Sequence, residues 1–195
     1  MHEIVDLLVS TIGSLGYFGI FALMFLESSF FPFPSEVVMI PAGYLVFQGE
    51  MNLALVILSG VTGSLAGAWL NYLLAIKFGR RFILKIMSNE KIDKLELYFK
   101  NHGHISTFTG RLIPGIRQYI SFPAGLAKMN GIEFSIYTTL GASIWATVLT
   151  MLGYYMGANQ ELLSIYLKQI TIITIMLLAV LVFLYYKRLK KNQTL

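Results

Sequence analysis

The 195-residue chain has no cysteine, three histidines, five prolines, and no lysine or arginine before Lys77. Without cysteine there is neither a disulfide framework nor a thiolate metal site. His2, His102 and His104 are too few and too scattered for most metal centres, so no metal and no cofactor is expected. Charge is scarce too. Charged residues make up 13% of the chain and hydrophobic ones 56%, with a mean hydropathy of +0.67; a soluble domain carries about 25% charged residues. This is the composition of an integral membrane protein, and residues 1–195 suit a single membrane domain.

The net charge of +5 does not point to nucleic acid, because its distribution is that of a topology signal. Lys77, Arg80, Arg81, Lys85, Lys91, Lys94 and Lys100 form one cluster, and Lys187, Arg188, Lys190 and Lys191 form another. Under the positive-inside rule both face the cytoplasm, which places residues 80–104 and the C-terminus there and makes anionic lipid headgroups natural neighbours. No nucleic-acid partner is expected, since no extended basic-aromatic surface is visible. Met1-His2-Glu3 lacks the basic start of a signal peptide, Glu3 and Asp6 are acidic, and no Ala-x-Ala site follows.

Three stretches read as membrane spans: 51–78, 131–157 and 165–186, the last followed by the basic tail 187–195. As a helix, the first would reach about 42 Å, ample for a tilted crossing. All five prolines lie elsewhere, in two segments where charge enters apolar sequence. The first runs Glu27-Ser-Ser-Phe-Phe-Pro32-Phe-Pro34-Ser-Glu36 and continues to Pro41-Ala42-Gly43. The second runs Gly110-Arg111-Leu-Ile-Pro114-Gly-Ile-Arg117 and continues to Pro123-Ala124-Gly125. Their apolar arms are short: 16–31 would reach about 24 Å and 37–47 about 16 Å as helix, below an approximately 30 Å hydrocarbon core. Proline removes a backbone donor and turns the preceding residue away from helix. Each segment is therefore predicted to be a re-entrant helical hairpin, shaped by Pro32, Pro34, Pro41 and Gly43 in one copy and by Pro114, Pro123 and Gly125 in the other.

The expected fold is all-α: an inverted repeat with two re-entrant helical hairpins, three transmembrane helices and short amphipathic helices. Repeat one covers about 3–79 (amphipathic helix 3–14, hairpin 16–48, span 51–78). Repeat two covers about 90–157 (amphipathic helix 90–101, hairpin 104–128, span 131–157). In the second amphipathic piece Ile92, Leu95 and Phe99 share one face against Glu90, Lys94 and Lys100. Inverted repeats meeting at half-membrane breaks are a transporter architecture. Gly60, Gly63 and Gly67 on one span, and Gly153-x-x-x-Gly157 on the other, form small-residue faces suited to helix packing; they also leave room for a homodimer.

Ionisable groups at membrane depth are costly and mark function by default. One hairpin carries two carboxylates, Glu27 and Glu36, and the other two guanidiniums, Arg111 and Arg117. The arginine fork suits bidentate capture of phosphate; equally, two arginines and two glutamates neutralise one another. Glu27 and Glu36 are candidates for proton coupling, and Glu36 also suits a helix start. Asn71, Gln118 and Ser121 are candidate cavity residues, His102 and His104 loop polar groups, and Trp69 and Trp145 packing or lipid-facing residues.

Together, Glu27-x4-Pro32-x-Pro34-Ser-Glu36, the two Pro-Ala-Gly ends and Phe108-Thr-Gly-Arg111-x-x-Pro114-x-x-Arg117 resemble the DedA family of bacterial membrane proteins, the VTT-domain superfamily, over roughly residues 15–160. Gly67-Ala-Trp-Leu-Asn-Tyr72 followed by Gly79-Arg80 also looks like that family's first long span, although many members carry Asp where this chain has Ala68. The resemblance implies a multi-pass protein of the bacterial inner membrane, not an enzyme, that moves a phospholipid or polyprenyl phosphate, undecaprenyl phosphate or phosphatidylethanolamine, with protons as a partner. The alternatives are a proton-coupled cation or small-molecule antiporter and a non-transporting membrane-assembly protein. Lipid phosphatase chemistry needs a nucleophilic histidine or a metal-holding acidic cluster, and the sequence presents neither.

Overall fold

The computed structural model describes residues 3–29, 34–79, 89–113 and 115–159, with isolated positions at 165, 166, 169, 172 and 176. Pro32, Pro114, the basic cluster at 80–88, most of the expected span 165–186 and the tail 187–195 lie outside the described residues. All regular structure among the described residues is helical: α1 (Glu3–Ser28), α2 (Glu36–Phe47), α3 (Leu53–Leu74, extended by a π-helical turn Ala75–Gly79), α4 (Asn89–Leu112), α5 (Ser121–Leu126) and α6 (Gly131–Met156). Three described stretches are long and apolar enough to cross a membrane: Leu7–Ser28, Leu53–Gly79 and Gly131–Met156.

The first of these holds the expected boundary. At Gly16 (φ 61°) the backbone leaves helical geometry and two helices meet at a kink, where the amphipathic piece and the hairpin arm were read to join. Within the first of the two, the hydroxyls of Ser10, Thr11 and Ser14 bond back to carbonyls one turn earlier. By contrast, the segments read as 90–101 and 105–113 run together as one helix, α4 (Asn89–Leu112). The amphipathic face holds, with Ile92 and Phe99 buried and Lys94 and Lys100 exposed. Gly103 lets the chain run through close to Met129, so His102 and His104 are helical residues beside Tyr98 and Tyr137 rather than loop groups.

The long helices α3 and α6 start with the same device. Asn52 accepts hydrogen bonds from the amides of Ala54 and Leu55, at 2.9 and 3.2 Å. Asn130 accepts them from Ile132 and Glu133, at 2.9 and 3.3 Å. Each satisfies donors that a helix N-terminus leaves open. The short helices then lie on the long ones in a crossed arrangement. A side chain at Gly43 of α2 would collide with the Thr150 carbonyl of α6, and one at Gly125 of α5 with the Tyr72 carbonyl of α3. Both Pro-Ala-Gly glycines are thus points of backbone contact with a long helix. Helix α2, about 18 Å long, is buried without a break from Val37 to Leu45; Pro41 sits inside it without ending it.

Close packing also consumes the small-residue faces. Gly63 and Gly67 press on the Phe21 and Phe25 carbonyls of α1, Gly153 on the Ile40 carbonyl of α2, and Gly157 on Phe47. These faces build the monomer, and a homodimer gains nothing from them. One apolar cluster includes Ile20, Met24, Val38, Met39, Ile40, Val56 and Leu149. A second gathers Ala68, Tyr72, Phe99, Ala124 and Phe134, tied by bonds from Tyr72 to the Met129 carbonyl and from Trp69 to Ser135. Ile132, Ile136, Leu140, Ile144 and Val148 of α6 are exposed at helical spacing, a ridge that suits lipid.

Replacing Gly43 or Gly125 by alanine is expected to lower stability by about 1–3 kcal/mol, because backbone must move. Gly13→Ala, whose new methyl would rest 3.7 Å from Leu45, should be neutral or mildly stabilising. Unfolding midpoints in detergent give the ranking; equal midpoints for Gly43→Ala and Gly13→Ala contradict the packing described.

Candidate functional site

Glu27 arrives at the penultimate position of α1, just before the proline-broken link to α2. Arg111 arrives in the last turn of α4, and Arg117 in the turn that follows Gly115, whose φ of 80° favours glycine. All three side chains are buried, Glu27 2%, Arg111 4% and Arg117 8% exposed. A glutamate of the first charged motif thus meets an arginine of the second: Glu27 reaches Arg117, while Glu36 makes no ion pair among the described residues.

Arg117 is the centre of a tight polar cluster. Its Nη2 donates to Glu27 Oε1 at 2.5 Å and to Ser35 Oγ at 2.6 Å. Glu27 Oε2 accepts from Ser28 Oγ at 2.9 Å. Trp145 of α6 donates its indole N–H to Ser35 Oγ at 3.2 Å, and the Arg117 guanidinium stands 5.2 Å from the centre of a Trp145 ring, within cation–π range. Ser35 stands at the N-cap of α2 but makes no capping bond, since its hydroxyl is turned to Arg117 and Trp145 instead.

Arg111 is placed differently. Its Nη2 donates to Ser121 Oγ at 3.0 Å, and its Nε has no hydrogen-bond partner. No carboxylate pairs with it among the described residues. Ser121 opens α5 as Ser35 precedes α2, so each Pro-Ala-Gly helix begins beside a serine that holds one arginine. A small cavity lies between the arginines, lined by Glu27, Ser64, Arg111, Arg117 and Trp145 among others. It offers about 10 Å³ to the centre of a water molecule, room for about one water.

Asn71 of α3 joins the two halves. Its amide donates to the Ser28, Ser29 and Gln118 carbonyls at 3.1, 2.7 and 3.3 Å, tying the chain that leaves α1 to the turn that carries Arg117. Gln118 thus contributes its backbone. Glu36 is half-buried in the first turn of α2, makes no ion pair among the described residues and does not line the cavity; there its charge suits the positive end of the helix dipole. The sequence reading missed Ser35 and Trp145. Ser35 sits inside the Pro34-Ser-Glu36 motif, and the half-buried Trp145 follows Gly141 by one helical turn on the face that meets Arg111; the polar N–H of an indole packed in a protein usually finds an acceptor.

With Glu27 ionised, these three groups carry one net positive charge. Removing one partner of a buried ion pair costs about 3–5 kcal/mol. Glu27→Gln, which leaves two buried guanidiniums uncompensated, should lower the unfolding midpoint most. Arg117→Gln leaves Glu27 and Arg111 with equal and opposite charge and should cost less. Arg111→Gln, which removes the uncompensated charge, should be neutral or stabilising. Chemical denaturation in detergent tests this order, and a loss for Arg111→Gln as large as for Glu27→Gln contradicts it.

Comparison with known proteins fits this geometry. The VTT domain model matches residues 33–155. The chain is 37% identical to the uncharacterized membrane protein YkoX of Bacillus subtilis (strain 168), over 99% of this chain and 87% of that one. It is 33% identical to an alkaline phosphatase-like protein of Lactococcus lactis subsp. lactis (strain IL1403), over 96% and 95% of the two chains. It is 29% identical to undecaprenyl phosphate transporter A of Bacillus subtilis (strain 168), over 98% and 97%. No solved structure matches the chain. The match to the VTT domain over most of the helical bundle, with full-length membrane-protein relatives, shows that the chain belongs to the VTT-domain family, the DedA family of membrane proteins.

Proposed function

We propose that this protein translocates a phosphate-bearing lipid, a polyprenyl phosphate or a phospholipid, across the bacterial inner membrane, with Arg111 and Arg117 as phosphate ligands. The observation that carries this reading is the buried pair of guanidiniums holding one net positive charge where the breaks between helices meet. A cation in such a place calls for an anion, and arginine's planar fork matches phosphate oxygens. The likeness to a protein described as an undecaprenyl phosphate transporter supports the substrate class. Glu27 acts as the counter-charge that phosphate displaces from Arg117, and its protonation couples the step to protons. Glu36 acts at most through the start of α2.

The architecture belongs to the same reading. Residues 3–79 and 90–157 form two inverted repeats, each with a re-entrant hairpin (16–48 and 104–128) and a long span. The matching Asn52 and Asn130 caps, and the crossed contacts of Gly43 with α6 and Gly125 with α3, support it. Irregular backbone at membrane depth is then buried in protein, as it must be, with Pro32, Pro34, Pro41, Pro114 and Pro123 setting the breaks. The positive-inside bias puts 80–104 and the C-terminus in the cytoplasm. A transporter, not a phosphatase, is the reading offered: the charged groups that line the cavity are Glu27, Arg111 and Arg117, and His102 and His104 lie elsewhere, beside Tyr98 and Tyr137.

Liposomes holding only this protein and a phosphate-bearing lipid test the proposal, read as headgroup appearing on the opposite leaflet. Arg111→Lys should cut the rate at least tenfold, since it keeps the charge but loses the fork, worth about 1.4 kcal/mol or more. Glu27→Gln should flatten the pH dependence of the rate. Wild-type rates for both Arg111→Ala and Arg117→Ala, at normal folded yield, overturn the phosphate role.

A further inference from the structure

The two arginines of the cavity are held in opposite ways. Every observed partner of Arg117 is strong: a carboxylate at 2.5 Å, a hydroxyl at 2.6 Å and an indole ring at 5.2 Å. Arg111 is just as buried but has one neutral partner, Ser121, and a bare Nε. Burying a cation forfeits several kcal/mol of hydration that only opposite charge and good hydrogen bonds offset; among the described residues Arg111 makes no ion pair, and Glu27, the carboxylate lining the same cavity, is bonded to Arg117. A guanidinium in that state is a standing receptor for an anion. The space between the arginines, about 10 Å³ to water centres, suits about one water and is too small for a tetrahedral phosphate. A phosphate that reaches Arg111 must therefore displace a neighbour, and Arg117 is the neighbour whose bonds the same phosphate can replace.

Taking the cavity as a lipid-phosphate site, we propose that Arg111 is its resident phosphate receptor and that Glu27, Ser35 and Trp145 form a clamp holding Arg117 back until the phosphate arrives. Ser35 and Trp145 are positioning residues: they act on the lipid through Arg117. Ser35 fits this part because it leaves the α2 N-terminus uncapped in order to bond both Arg117 and Trp145. The clamp and the phosphate compete for one guanidinium, so loosening the clamp tightens lipid binding, while removing Arg111 abolishes it. That opposition of sign separates a clamp from an ordinary buried hydrogen bond, whose loss weakens folding and binding together.

Trp145 reports on the clamp directly. The chain has two tryptophans, so Trp69→Phe leaves Trp145 as the single indole of the full-length protein in detergent. Short-chain phosphatidic acid and short-chain phosphatidylethanolamine are the probes, with short-chain diacylglycerol as the phosphate-free control. Both phosphate lipids should shift Trp145 emission saturably and diacylglycerol should not. Ser35→Ala should tighten binding roughly tenfold, the worth of a hydrogen bond to a charged group, and Arg111→Gln should abolish it. Trp69 also bonds Ser135; if its replacement does not fold, lipid-induced shifts of the unfolding midpoint with both tryptophans present measure the same affinities. Weaker binding in Ser35→Ala, or silent Trp145 emission while midpoints show lipid bound, overturns the clamp and leaves the lipid-phosphate reading standing. Wild-type protein that binds neither phosphate lipid overturns both.

Discussion

The contact between Arg117 and Glu27 is the constraint on which the rest of this molecule depends. Their residues are far apart in sequence, one at the end of the first long helix and one in the turn after the fourth. Holding them at 2.5 Å in a buried place fixes where both chain breaks must sit. Asn71 of α3 secures the same junction by bonding carbonyls on either side of it. The glycine contacts serve this geometry from further off: α2 and α5 press on α6 and α3 through Gly43 and Gly125, which brings Ser35 and Ser121, at the starts of these short helices, to the two arginines. A charged pair in a membrane bundle is weak evidence for stability in itself, since desolvation cancels much of the attraction. Here it defines a place, and an extra positive charge is left in that place.

Much of this was legible in the sequence because its signals are local and costly. Charge within apolar sequence, prolines confined to two segments and a matching Pro-Ala-Gly end to each gave the location of both breaks. The long spans at 51–78 and 131–157 were readable from length and hydropathy alone. What was not legible depends on side chains meeting across the fold. Two glutamates and two arginines suggested a neutral set of four, but Glu36 turns to the start of α2 and one guanidinium is left uncompensated. Trp145 looked like packing because nothing in its neighbourhood in sequence shows that Ser35 and Arg117 will be its partners. Continuity was misjudged at one place. The stretches on either side of Gly103 read as separate pieces, but close packing on Met129 keeps α4 as one helix, whereas the boundary read at Gly16 is where the backbone does leave helical geometry.

Positive charge left over in a buried site is a poor choice for stability and a good one for capturing an anion, the trade seen where function requires local destabilisation. The family relationship places the protein among membrane proteins, one of which is described as moving undecaprenyl phosphate; the geometry gives a physical reason for a phosphate ligand that does not depend on that likeness.

The most direct measurement of the central claim is the distance between lipid phosphorus and arginine nitrogen. Solid-state NMR with dipolar recoupling, on protein labelled with nitrogen-15 in arginine, in a bilayer of uncharged glycolipid containing one added phosphate lipid, reads that contact without interference from other phosphates. The account requires a phosphorus–guanidinium contact of about 4 Å that disappears in Arg111→Lys. A bound phosphate lipid with no such contact, or a contact unchanged in Arg111→Lys, would contradict it.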